Sequence, residues 1–323
     1  RYKQKDDDFP KILSVLQKYD IRYFFLIGGN DTMDTVNRVE AFCRSMGYEL
    51  TGVGIPKTVD NDLFGTDHTP GFASAAWSNI LNVMQAGTLA RDMMKVDQFV
   101  VYQTIGRDAG WLAAATSMAR RDEDEAPHLI YTPEHPFVRE KFLTDADHCI
   151  RRYGWVFVVA GEGIKYEDGT PVSASVVKDK FSNTEFGAMG GASVAITLHR
   201  MLSSEFGLRG EFQVPESLIM SDYVRALPAD LGEAYRCGIE AVRLAEKGES
   251  GYMVTIDRKS DDPYEVIYGK VPLSKVAIAA RPMPAEYFNE AGNHVSDAFA
   301  RYMKPLTGEI PEFVRLKKIM VTK

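Results

Sequence analysis

The 323-residue chain lacks the marks of several large protein classes. Its three cysteines, Cys43, Cys149 and Cys237, are far apart and include no Cys-x-x-Cys pair. That excludes a disulfide framework and suits a reducing cytoplasm. The six histidines show no His-x-x-x-His or similar ligand spacing, which argues against zinc. No apolar run approaches the roughly 20 residues needed to span a bilayer, and no signal-peptide pattern is visible. Positive charge is not in excess. Lys and Arg number 38 against 45 Asp and Glu, and the net charge of −7 argues against a nucleic-acid or acidic-membrane partner. No internal repeat or low-complexity tract interrupts the chain.

What is present is an ordinary globular composition, 45% hydrophobic and 26% charged, in a chain long enough for two domains. Short apolar runs alternate with segments of helical spacing. Strands are predicted at Arg22–Ile27, Leu50–Ile55, Gln98–Gln103, His128–Tyr131 and Trp155–Ala160. Helices are predicted over Thr32–Met46, Phe72 to about Met94, Gly106–Ala119 and Lys141–Tyr153, and further on over Met189–Ser204 and Leu231–Lys247. Later strands are expected at Tyr252–Asp257 and Glu265–Tyr268, and the charged run Arg120–Glu125 reads as a solvated helix end. Five strand–loop–helix units in succession indicate an α/β fold with a parallel sheet covered by helices on both faces. Ligands in such sheets bind at the carboxyl ends of the strands.

The loops at those ends are polar. Gly28-Gly29-Asn30-Asp31-Thr32 is a glycine turn opening a helix. It suits close approach of an anion to free N–H groups, or is a plain turn with Asp31 or Thr32 as N-cap. Lys57-Thr58-Val59-Asp60-Asn61-Asp62 sets a cation and two carboxylates after an apolar run. If the segment is extended, Thr58, Asp60 and Asp62 share one side. One acid can then take a proton from an attacking hydroxyl while the other fixes that charge or binds Mg²⁺. Lys57 can neutralise a transferring phosphoryl group. The alternative is an Asx-turn cluster capping the next helix. Gly106-Arg107 is placed to grip a phosphate, or carries an ordinary first-turn arginine. Glu134 is a candidate acceptor for sugar hydroxyls, or a surface loop acid. The loop Gly161-Glu162-Gly163 ends the fifth strand.

The stretches GGNDT (28–32), PKTVDND (56–62), TIGRDAGWLAAATSMAR (104–120) and PE (133–134) resemble, in order and approximate spacing, those of the 6-phosphofructokinases. Asp31 and Lys57 resemble the pyrophosphate-dependent branch. The likeness is firm from about residue 20 to 165 and looser beyond. Phe186–Gly191 is similar to a Phe-Gly-His-x-x-Leu-Gly-Gly segment of the longer pyrophosphate enzymes, with Ala188 at the His position.

The resemblance implies two doubly wound domains with mostly parallel sheets. Residues 1–94 with about 222–275 would form the phosphoryl-donor domain, and 95–221 with about 276–323 the sugar-phosphate domain. It implies reversible, Mg²⁺-dependent transfer from pyrophosphate to the 1-hydroxyl of fructose 6-phosphate in a homo-oligomer, dimer or tetramer. Asp60 matches the catalytic base and Asp62 its acidic partner. Thr58, Gly106, Arg107, Glu134, Tyr223 and Arg225 match sugar-phosphate positions, and Gly29 belongs to the donor loop. Asp31 would crowd and repel the α-phosphate of ATP, while Lys57 offsets charge on a leaving phosphate that carries no nucleoside. Asn30 stands where the family has a metal-linked aspartate. That departure leaves open a non-catalytic, sugar-phosphate-sensing subunit, and an ATP-dependent enzyme is the other alternative. The family's first strand and glycine-rich phosphate loop have no counterpart before Arg1, so a fragment is expected.

Overall fold

The structure is a computed structural model that describes residues 5–173, 192–277 and 280–312. Phe186–Gly191 lies outside the described residues. In chain order the helices are α1 (Phe9–Lys18), α2 (Asn30–Ser45), α3 (Phe72–Met93), α4 (Trp111–Ala115), α5 (Arg139–Tyr153), α6 (Val194–Phe206), α7 (Ser217–Met220), α8 (Pro228–Glu246), α9 (Leu273–Val276) and α10 (Asp297–Thr307). The strands are β1 (Tyr23–Gly28), β2 (Thr51–Pro56), β3 (Phe99–Thr104), β4 (Leu129–Tyr131), β5 (Val156–Gly161), β6 (Gly210–Gln213), β7 (Tyr252–Asp261) and β8 (Tyr264–Pro272). In α2, Met33, Val36, Val39 and Cys43 recur at steps of three and four and are buried, so this helix is held by one apolar face. Every residue of β3, β4 and β5 is buried, as parallel strands covered on both faces require.

The five early strands do not share the one sheet that their succession alone suggests; they divide between two, as the resemblance implied. β1, β2, β7 and β8 form the first sheet in that order, with β8 returning antiparallel on β7. β4, β5, β3 and β6 form the second, all parallel. β3 cannot continue the first sheet because the other edge of β2 is taken by β7, with Val53 opposite Tyr252 and Gly54 opposite Met253. The α/β class and the mostly parallel pairing hold within each sheet.

Helix α3 touches elements of both halves: β3 and α4 on one side, α8 on the other. It is accordingly apolar around much of its circumference, burying Ala73, Ala76, Ile80, Val83 and Ala90 among others. Its N-terminus is satisfied from α8. Asp230 accepts from the backbone N–H of Gly71 at 2.8 Å and of Ser74 at 3.0 Å, and from the Ser74 hydroxyl at 2.5 Å. The helix expected from Gly106 begins only at Trp111, because Gly106 sits at φ +125° and residues 105–110 form a loop. Arg120–Glu125 is a turn beyond the 3-10 segment Thr116–Ala119, not a helix end.

Candidate active site

The first sheet supplies the acids. Beyond β2 the chain does not stay extended. Asn61 takes the left-handed conformation at φ +56°, and the Asp60 N–H turns back to the Thr58 hydroxyl at 3.2 Å. The alternation expected to aim Thr58, Asp60 and Asp62 to one side is therefore absent. Asn61 is wholly buried, donates to the Tyr302 hydroxyl at 3.1 Å and accepts from Thr69 at 3.4 Å. A short amide side chain suits both the dihedral and these bonds. The turn still keeps the two acids together. Burial, then the neighbouring Asp60, pushes the Asp62 carboxyl up to about 6. Burial also raises Asp60, against the pull of Arg107, the Thr58 hydroxyl and Lys57. Neither acid caps α3, whose end belongs to Asp230. The capping alternative for this loop is thus not realised.

The glycine turn lies alongside. The Lys57 N–H donates to the Gly28 carbonyl at 3.1 Å, so the loops after β1 and β2 are bonded to each other. Helix α2 starts at Asn30 with Gly29 as N-cap, so neither Asp31 nor Thr32 holds that position. Asn30 Nδ2 donates to Asp62 Oδ2 at 3.0 Å. Asp31 and Lys57 are exposed at this rim.

The second sheet brings the cation and a third acid. Arg107 is the largest charge acting on Asp60, although the two follow strands of different sheets. Its backbone is seated against Gly163, where a Cβ would fall 1.8 Å from the Arg107 carbonyl oxygen. Glu162 accepts from the Gly106 N–H at 3.2 Å. Burial, with Asp60 and Glu216 nearby, pushes its carboxyl up to about 7, against the pull of that N–H and of Arg107. All three acids feel the Arg107 charge, and Asp62 and Glu162 both feel Asp60, so Asp60 and Arg107 are the shared centre of groups drawn from both sheets. Shifted acids around one cation, at the carboxyl ends of strands, make this the candidate site.

Residues 1–210 match the family described as Phosphofructokinase. The chain belongs to the phosphofructokinase family. It is 35% identical over 312 residues to the pyrophosphate–fructose 6-phosphate 1-phosphotransferase of Halomonas elongata, covering 95% of this chain and 73% of the relative. The enzyme of that name from Xanthomonas campestris pv. campestris is 35% identical over 340 residues, covering 100% of this chain and 80% of the relative. The crystal structure of pyrophosphate-dependent phosphofructokinase from Marinobacter aquaeolei matches with a TM-score of 0.82 at 34% identity, over 100% of this chain and 78% of that one.

Phosphofructokinase-family phosphotransferases generally use a divalent metal. Among the described residues no group of three or more His, Cys, Asp or Glu could hold one alone. Asn30 Oδ1, however, is buried and has no hydrogen-bond partner, close beside Asp62. A neutral oxygen with an adjacent carboxylate fits a hard cation that takes its remaining ligands from phosphates and water.

Three expected sugar positions do not join this candidate site. Glu134 is turned onto the backbone: its Oε1 accepts from Gly110 at 2.9 Å and Met283 at 3.1 Å. Its Oε2 is sealed without a partner, so neither oxygen is open to a hydroxyl. Tyr223 is 86% exposed on a 3-10 turn. Arg225 donates to Asn82 of α3 at 2.7 Å and lies 3.7 Å from Asp222. Two residues of the site went unassigned from the sequence. Glu162 had a signal, an acid between two glycines after an apolar strand. Arg281, whose guanidinium holds the acid loop, had none nearby.

Proposed function

We propose that the protein transfers a phosphoryl group from pyrophosphate to the 1-hydroxyl of fructose 6-phosphate, giving fructose 1,6-bisphosphate and phosphate, in a reversible reaction. The observation that carries the reading is the meeting of Asp60, beside Asp62, with Arg107 and Glu162 across two sheets, in a chain 35% identical to enzymes of that name. Sugar phosphate lies on the second-sheet side. Arg107 meets its negative charge, Thr58 and Gly106 line it, and Glu162 accepts its hydroxyls. Pyrophosphate lies on the first-sheet side over Gly29 and the start of α2.

Asp60 takes the proton of the sugar hydroxyl as that oxygen attacks phosphorus in line, and Asp62 holds Asp60 and the metal side in register. Lys57 stabilises charge on the transferring group and on the leaving phosphate. Asp31 excludes a nucleotide α-phosphate from the same rim. Mg²⁺, held by Asn30 Oδ1, Asp62 and the donor, would neutralise the phosphate oxygens. The donor domain is assigned to residues 1–94 with about 222–275, and the sugar domain to 95–221 with about 276–323, in keeping with the two sheets. A cytoplasmic homo-oligomer is part of the reading. It is supported by three buried free thiols and by Leu218, Met220, Tyr223 and Val224, which lie 58–86% exposed along one short stretch.

The test is turnover of the full-length protein with each donor at saturating Mg²⁺. Faster transfer from pyrophosphate than from ATP is expected, and faster use of ATP rejects the donor assignment.

A further inference from the structure

The two halves of the site follow strands of different sheets, so something must fix their relative position. The three-residue segment 281–283 touches both. The Arg281 N–H donates to the Asp62 carbonyl at 2.7 Å. Its guanidinium donates to the carbonyls of Asn61 at 2.9 Å, Thr66 at 2.7 Å and Asp67 at 2.9 Å. One side chain thus ties the residue between the two acids to the segment that follows them. The same guanidinium lies 4.5 Å from the ring centre of Trp111, and the Trp111 indole N–H donates to the Arg281 carbonyl at 3.3 Å. Trp111 ends the loop that begins at Gly106-Arg107. Two residues on, the Met283 N–H and the Gly110 N–H share Glu134 Oε1. Acid loop, arginine loop and the loop after β4 therefore meet on one strap.

We infer that Arg281 and Glu134 are positioning residues that lock the Asp60–Asp62 turn to the Gly106–Trp111 loop through segment 281–283. The inference rests on the phosphotransferase reading for its kinetic consequence, though not for its structural one. The planar fork reaches the three carbonyls from two separate nitrogens while lying against Trp111; the ammonium of lysine has its donors on one nitrogen and no plane. Glu134 contributes as a backbone acceptor, not as a contact to sugar. Each substrate has its own side of the cleft, so loosening the strap leaves the separate affinities standing and spoils only the alignment between them. Misplacement by about 1 Å is enough to cost about 100-fold in rate.

Arg281→Lys keeps the charge and loses the fork. It should lower kcat about 10- to 100-fold, with the Kd for fructose 6-phosphate and for pyrophosphate, measured by calorimetry, each within about threefold of wild type. Glu134→Leu removes the shared acceptor and should reduce kcat in the same manner. A kcat within about threefold of wild type in a folded Arg281→Lys protein overturns the inference. So does an affinity loss for one substrate that accounts for the whole fall, or a tenfold loss of sugar affinity in Glu134→Leu. Hydrogen exchange of the substrate-free protein separates the strap from the functional reading. In Arg281→Lys, amides in both 57–67 and 105–112 should exchange faster. Faster exchange confined to 57–67 contradicts the coupling, whatever the wild-type protein turns over.

Discussion

Asn61 decides what the two acids can do. Its left-handed turn, fixed by Tyr302 and by the Arg281 fork, brings Asp60 and Asp62 together where an extended segment was expected to do so. Glu162 is the residue whose protonation is most exposed to test. Its carboxyl stands at about 7 in the fold, against an ordinary value of 4.5. Between those values the folded chain keeps a proton that the unfolded chain releases, so stability falls as pH rises through this window. Glu162→Gln removes the site of that proton. The fall in urea midpoint from pH 5 to pH 8 should be smaller in Glu162→Gln than in wild type, and equal falls would mean that Glu162 does not carry the shift.

At the scale of elements, the link between α8 and α3 is the one most easily measured. Asp230 satisfies the two N–H groups and the hydroxyl at the start of α3, and it is only 3% exposed. Asp230→Ala leaves them without that acceptor, and chemical denaturation should show a loss of about 2 kcal/mol, at the upper end for a helix cap. A change below about 0.5 kcal/mol would show that the cap is replaced by water or by another side chain. The elements themselves were largely legible. β3 and β5 are unbroken apolar runs, and α3 and α5 carry helical spacing, because burial on both faces or on one stripe writes itself into local sequence. The elements missed are α1, β6 and α10, with the single-turn helices α7 and α9. Helix α1 buries only Phe9, Leu13 and Leu16, at steps of four and three, a short stripe in a ten-residue helix. β6 pairs with β3 through Gly210, Glu211, Phe212 and Gln213, a mixed run with no strand pattern. Helix α10 contains Pro305, which reads as a breaker. What no local pattern could hold is the partition into two sheets, since it depends on β7 reaching β2 from 200 residues away along the chain. The strap was hidden for the same reason: Arg281 acts on residues 61, 66 and 67.

For the whole molecule, the site exists only as a junction. The first sheet contributes Asp60, Asp62, Lys57 and the start of α2, and the second contributes Arg107 and Glu162. Motif order along the chain was enough to name these loops, because each follows a strand. Their meeting depends on α3 packed against both halves and on segment 281–283. On the proposed reading the two substrates sit on different supports and react where they touch. Asp60 is the group assigned to the proton at that point of contact. The direct measurement is the single-turnover rate of transfer from pyrophosphate to fructose 6-phosphate in the full-length protein and in its Asp60→Ala variant, both substrates saturating. The account predicts a fall of at least ~100-fold, the low end for loss of a general base; a fall of less than a few-fold would contradict it.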